Sequence, residues 1–146
     1  MIYALYAAVV LVLIGCDQLL KAWTVSNLAL GESTAFLPGL LQLTRVHNYG
    51  AAWSSFSGKT VMLIAVTAVL LVAVAYLLIR RIVRHPLGIA AALLILGGGV
   101  GNIIDRIAHG YVVDMFDLLL FDYPVFNLAD CFVVVGVIPM LVLLLF

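Results

Sequence analysis

Phe126-Asn127-Leu128-Ala129-Asp130 opens a run that stays apolar to Phe146. Asn127–Phe146 is long enough to cross a bilayer, for which a helix needs about 20 residues. Its one charged group, Asp130, falls in the first turn. A carboxylate at the mouth of a membrane helix is costly and is ordinarily retained for function. Upstream, three more apolar runs of spanning length cover roughly Ile2–Val25, Thr60–Ile79 and Leu87–Ile104. The expected fold is an all-α membrane protein of four transmembrane helices forming one domain over residues 1–146. Segments 26–59 and 105–125 are then extracytoplasmic.

Composition agrees. With 66% hydrophobic and 10% charged residues among 146, the chain does not fit a soluble globular domain, which carries about 25% charged residues. Net charge is zero, and no basic stretch is long enough for nucleic acid. Cys16 and Cys131 lie in apolar helical context, where cysteine behaves as a small buried hydrophobe. Leu13-Ile14-Gly15-Cys16 looks like a lipoprotein-precursor cleavage box, but Met1–Tyr6 lacks the Lys or Arg of a signal-peptide n-region. Ile2–Val25 therefore reads as the first membrane helix.

Arg80, Arg81 and Arg84 crowd the short connection between the second and third runs. Positive charge in short loops marks the cytoplasmic side, so both termini are expected there, although Arg45, Lys59 and Arg106 on the outer side dilute the bias. At about 1.5 Å per helical residue, Asp17, Asn102, Asp105 and Asp130 then converge on one level near the outer leaflet. Leu40–His47 has strand character between the turn signals Pro38-Gly39 and Asn48-Tyr49-Gly50. Ala51-Ala52-Trp53-Ser54-Ser55-Phe56 suits an interfacial segment. A small β-containing extracytoplasmic cap is expected above the bundle.

The chemistry lies in those polar groups. Asp17 and Lys21 are spaced i,i+4 and share a helix face; either Lys21 snorkels to the interface and neutralises Asp17, or the pair shapes a site. Asn102 and Arg106 have the same spacing behind Gly97-Gly98-Gly99 and Gly101, and they either contact a substrate or brace the bundle. Glycines in a membrane helix point to close helix packing. Two adjacent carboxylates share a proton, so one can activate water while the other protonates a scissile carbonyl. Asp130 is one candidate. Asp105 and Asp114 are both open as its partner: Arg106 beside Asp105 suggests a salt bridge, while Asp114 lies in an apolar setting that raises its pKa. Asp117 and Asp122 look like ordinary loop acids.

Other chemistries fit poorly. No His-Glu-x-x-His zinc motif occurs, and His47, His85 and His109 lie far apart, so neither a metal nor a cofactor is expected. A transporter or channel subunit would spread polar groups through the bilayer depth; the second run and the inner halves of the third and fourth lack charge. A structural adaptor would tolerate loss of the acids.

Taken in order, Asp17-Gln18 with Lys21, Asn48 with Gly50-Ala51-Ala52, Gly98 with Gly101-Asn102 and Asp105-Arg106, Val112-Val113-Asp114, and Phe126-Asn127 with Ala129-Asp130 resemble the type II, or prolipoprotein, signal peptidases of bacteria. The resemblance implies a metal-independent aspartyl endopeptidase of the cytoplasmic membrane that removes signal peptides from diacylglyceryl-modified prolipoproteins just before the lipidated cysteine. By motif position it implies Asp114 and Asp130 as the catalytic pair. Asn48, Asn102, Arg106 and Asn127 line the substrate site on this reading, and Asp17, Lys21, Asp105, Gly50 and Ala129 support it. The implied partners are lipid-modified prolipoproteins, membrane lipids and the inhibitor globomycin, with the enzyme a monomer. Met115 departs from the family, which usually has Phe there, and is expected to alter a pocket wall.

Overall fold

A computed structural model describes residues 1–50 and 55–145. Its elements are α1 (Ile2–Asn27), β1 (Ser33–Leu37), β2 (Leu41–Asn48), α2 (Thr60–Ile79), α3 (Pro86–His109), β3 (Val112–Leu118) and α4 (Leu128–Leu145). The fold is predominantly helical. α1, α2 and α3 are long and apolar enough to cross a membrane. α4 has 18 residues, with its apolar stretch at Leu128–Leu143. The expected interfacial residues Ala51–Ser54, and Phe146 at the end of the fourth run, lie outside the described residues.

α3 is the hub, packing against each of the other three helices. Its glycines make this possible. A Cβ on Gly97 would come within 2.7 Å of Leu13 in α1, and one on Gly99 within 2.5 Å of Leu71 in α2; one on Gly98 would strike the backbone carbonyl of Ala129 in α4. Small residues thus let backbones approach where acyl chains offer no hydrophobic drive to association. The outward faces of α1 and α2 expose Leu11, Val12, Val69 and Val72, as surfaces against lipid do. Cys16 is exposed among them and Cys131 is half-buried, so the expected burial of both thiols inside protein does not hold.

α3 is capped by His85, whose Nδ1 accepts the Leu87 N–H at 3.3 Å, with Pro86 in the first turn. It runs to His109, a turn beyond the expected end at Ile104, and stops at Gly110 in left-handed conformation with φ 79°. The apolar pattern fades at Ile104 because Asn102 and Asp105 face the bundle interior and are buried. Asp105 and Arg106 therefore belong to the helix and not to the following segment.

The strand region is larger than expected. β1, β2 and β3 form one antiparallel sheet in that order. β2 falls one residue from its expected place. β1 is exposed throughout and offers no alternation to read, while β3 replaces what looked like loop. Asp117, expected to be a loop acid, sits in β3 and accepts from Gln42 at 2.7 Å and Thr44 at 2.9 Å. Met115, Val113, Leu28 and Leu43 form a buried cluster, so Met115 packs behind the strand and not on the expected pocket wall.

Candidate active site

Asp130 is held by the start of its own helix. Its backbone N–H donates to Asn127 Oδ1 at 2.9 Å, and its Oδ2 accepts the Asn127 N–H at 3.2 Å. This is the reciprocal geometry of a capping box, with an Asn–Asp pair in place of the usual Ser–Glu. The other carboxylate oxygen accepts from Asn102 Nδ2 at 2.8 Å. A carboxylate in the first helical turn also meets the positive end of the helix dipole.

Asp114 reaches the same place from the sheet. Val46 pairs with Asp114, and Asn48 with Val112, so strand alternation puts Asn48 and Asp114 on one face. Phe116 and Phe126 form an antiparallel bridge, which folds β3 back beside the residues entering α4. Asn127 Nδ2 then donates to Asp114 Oδ1 at 2.6 Å, and Asn48 Nδ2 to Asp114 Oδ2 at 2.9 Å. Asp114 is 1% exposed. Burial, and next the negative charge of Asp130, push its pKa up from 3.8 to about 7; the donors from Asn48 and Asn127 oppose the rise.

The two acids are joined by amides. Asn127 Nδ2 also donates to Asn102 Oδ1 at 3.2 Å, so Asp114, Asn127, Asn102 and Asp130 form one continuous chain of hydrogen bonds. Both carboxylates line a single cavity of about 260 Å³ with Asn48, Asn102, Arg106 and Asn127. Val112, Phe126 and Val133 supply apolar wall.

Beneath it lies a buried ionic cluster. Lys21 Nζ sits 2.8 Å from Asp17 Oδ2 and 3.2 Å from Asp105 Oδ2, and donates to Asn102 Oδ1 at 3.0 Å. All three ammonium protons have acceptors. Lys21 is only 3% exposed, so it does not snorkel. Asp105 pairs with Lys21 and not with Arg106, because adjacent helical residues point about 100° apart. Arg106 instead donates to the Gly50 carbonyl at 2.8 Å and to its own helix at the Asn102 carbonyl at 3.4 Å. Every expected site residue is thus in or against the cavity network: Gly50 through Arg106, and Ala129 through a 3.0 Å N–H bond to Asp17.

Gln18, which enters the sequence reading only through the Asp17-Gln18 motif and without a role of its own, is a further contributor. Gln18 Nε2 donates to Asp105 at 2.9 Å, to Asp17 at 3.2 Å and to the Gly101 carbonyl at 3.3 Å. Its place beside Asp17 was the available signal. Among the described residues no group of three His, Cys, Asp or Glu side chains is arranged to hold a metal.

Residues 9–146 match the family of signal peptidase (SPase) II. The chain belongs to that family. It is a bacterial membrane protein and a peptidase. Lipoprotein signal peptidases of Enterococcus faecalis and Lactiplantibacillus plantarum are 40% and 42% identical to it over 140 residues, which cover 96% and 94% of this chain and 87% and 92% of theirs. A bacterial membrane enzyme solved by the in meso method at 2.3 Å resolution superposes with a TM-score of 0.91 at 31% identity, covering 97% of this chain and 88% of that one.

Proposed function

We propose that this chain removes signal peptides from diacylglyceryl-modified prolipoproteins, cutting just before the lipidated cysteine, with Asp114 and Asp130 as the catalytic pair. One observation carries the reading: two carboxylates from separate elements line one cavity and are joined through Asn127 and Asn102. Asp114 holds a proton near neutrality, so it is the acid. Asp130 is the base. A water between them gives a proton to Asp130 while its oxygen attacks the scissile carbonyl, whose oxygen takes the proton of Asp114. Collapse of the tetrahedral intermediate breaks the C–N bond: the proton on Asp130 passes to the leaving amine while a hydroxyl of the intermediate returns its proton to Asp114, which restores the pair. The carboxyls keep acid and base roles without a metal or cofactor.

Asn48, Asn102, Arg106 and Asn127 bind the substrate backbone around this pair, and Asp17, Lys21, Asp105, Gly50 and Ala129 hold them in place. The enzyme is a single integral membrane domain in which α4 is a fourth span. Both termini are cytoplasmic, by the arginines of the α2–α3 turn, and the sheet caps the outer end. The cavity then opens at the outer leaflet, where lipid carries the acyl chains of the substrate. The protein acts as a monomer, and globomycin occupies the same cavity. The test is incubation of purified protein with a precursor before and after diacylglyceryl modification. Only the modified precursor is expected to shift on a gel, and globomycin is expected to stop it. Equal cutting of the unmodified precursor, or none of either, contradicts the reading.

A further inference from the structure

At the end of the bundle away from the two carboxylates, a second cavity of about 510 Å³ lies among the start of α1, the end of α2 and the α2–α3 turn. Its lining includes Tyr3, Tyr6, Leu78, Ile89, Arg81 and Arg84. The acidic residues all lie toward the other end of the molecule. Asp17 lies about 22 Å into α1 from Ile2, at about 1.5 Å per residue, and is tied to Asp105 through Lys21; Asp114 and Asp130 border the first cavity. The remaining acids, Glu32, Asp117 and Asp122, belong to the sheet and its connections. Among the described residues no carboxylate pairs with Arg81 or Arg84.

Both arginines are fixed at one edge and open at the other. Tyr3 Oη donates to the Ile79 carbonyl at 3.1 Å and accepts Arg81 Nε–H at 3.4 Å. Arg84 Nε donates to the Arg81 carbonyl at 2.8 Å. Arg81 has φ 54°, a left-handed conformation that is strained for a bulky residue and persists where its surroundings impose it. Here its N–H is bound to the Leu78 carbonyl at 3.0 Å. The terminal guanidinium nitrogens make no hydrogen bond within the described residues. Two such forks match the oxygens of a phosphate.

The apolar lining decides which phosphate. Leu78 and Ile89 face the cavity, and the neighbouring Ile82 and Leu87 are 59% and 50% exposed, so apolar surface continues from the arginines toward the acyl chains. We propose that this cavity binds the headgroup of an anionic phospholipid, with its phosphate between Arg81 and Arg84 and an acyl chain against Leu78 and Ile89. The site is independent of the peptidase reaction. It fixes the inner end of the bundle to the anionic leaflet.

Native mass spectrometry of the full chain, equilibrated with dioleoylphosphatidylglycerol or dioleoylphosphatidylcholine, measures it. Wild type is expected to retain the anionic lipid about 25-fold more than the zwitterionic one, and R81Q/R84Q to lose that preference, at about fivefold per arginine. R80Q removes one such charge from a guanidinium that lies over the Tyr76 ring, outside the cavity lining, and is expected to stay within about twofold of wild type, short of the roughly fivefold of one arginine in the site. Y3F keeps every charge but frees Arg81, so a drop of about threefold is expected; it serves if the double variant does not fold. Equal retention of the two lipids, or a loss of about fivefold in R80Q, overturns the site in favour of diffuse attraction. Displacement of the lipid by inorganic phosphate at equal concentration overturns the lipid assignment.

Discussion

Asp17 accepts the backbone N–H of Ala129 at 3.0 Å, across 112 residues of chain. Asp105 does the same for Val113, also at 3.0 Å. Each buried carboxylate therefore fixes the backbone one residue ahead of a proposed catalytic acid, Asp130 in one case and Asp114 in the other. Lys21 clamps the two together. The spacing of the acid pair is set by this cluster as much as by the acids themselves.

Lys21→Met leaves two carboxylates buried without their cation. Removing one partner of a buried pair costs about 3–5 kcal/mol, so a large fall in thermal unfolding temperature is expected in detergent. A loss below about 1 kcal/mol would mean that the two carboxylates do not depend on Lys21.

Asn127 has two duties, and they can be separated. Its Oδ1 caps α4 while its Nδ2 joins Asp114 to Asn102. Asn127→Ser retains a capping oxygen but loses the bridging amide, so a stability loss of about 1–3 kcal/mol is expected from the unpaired buried acceptors. Turnover is expected to fall about 100-fold or more. Unchanged turnover in the folded variant would show that capping is its only role.

The raised pKa of Asp114 predicts a pH profile. Because the folded state holds this proton more tightly than the ordinary value of 3.8, stability from this group declines as pH rises from 3.8 toward 7. Activity falls above about 7 as the proton shared by the pair is lost. Asn48 favours the charged carboxylate through its 2.9 Å bond, so Asn48→Ala should move the alkaline limb of kcat/KM to higher pH while lowering its height. Movement toward lower pH contradicts the assignment of the limb to Asp114.

Gly98→Ala places a methyl against the Ala129 carbonyl, whereas a Cβ at Gly15 meets nothing within 4 Å. Turnover is expected to drop about tenfold or more in the first variant, as α4 and Asp130 shift away from Asn102. The second is expected to stay near wild type. Equal behaviour would remove close α3–α4 packing from the account.

Much of this was readable in the chain because membrane burial writes a plain code. The apolar runs located α1 and α2 within two residues at each end, since lipid demands continuous apolarity. The same code misplaced the end of α3, where Asp105 and Arg106 face protein and need no apolar neighbours. β3 was hidden because Val112, Val113 and Met115 are all buried, which erases the alternation by which a strand is recognised. The convergence of Asp17, Asn102, Asp105 and Asp130 on one level followed from the topology that the loop arginines imply together with helix length. Partners did not: the pairing of Asp105 with Lys21 depends on how α1 and α3 face each other, which spacing within one helix cannot convey.

Cleavage of a diacylglyceryl-modified precursor by Asp114→Asn and Asp130→Asn, beside Asp122→Asn on the exposed loop, tests the central claim most directly. Both site variants are expected to fold in membranes and to lose activity about 100- to 10,000-fold or more, with Asp122→Asn close to wild type. Full activity in a folded Asp114→Asn or Asp130→Asn protein would contradict the paired-acid mechanism.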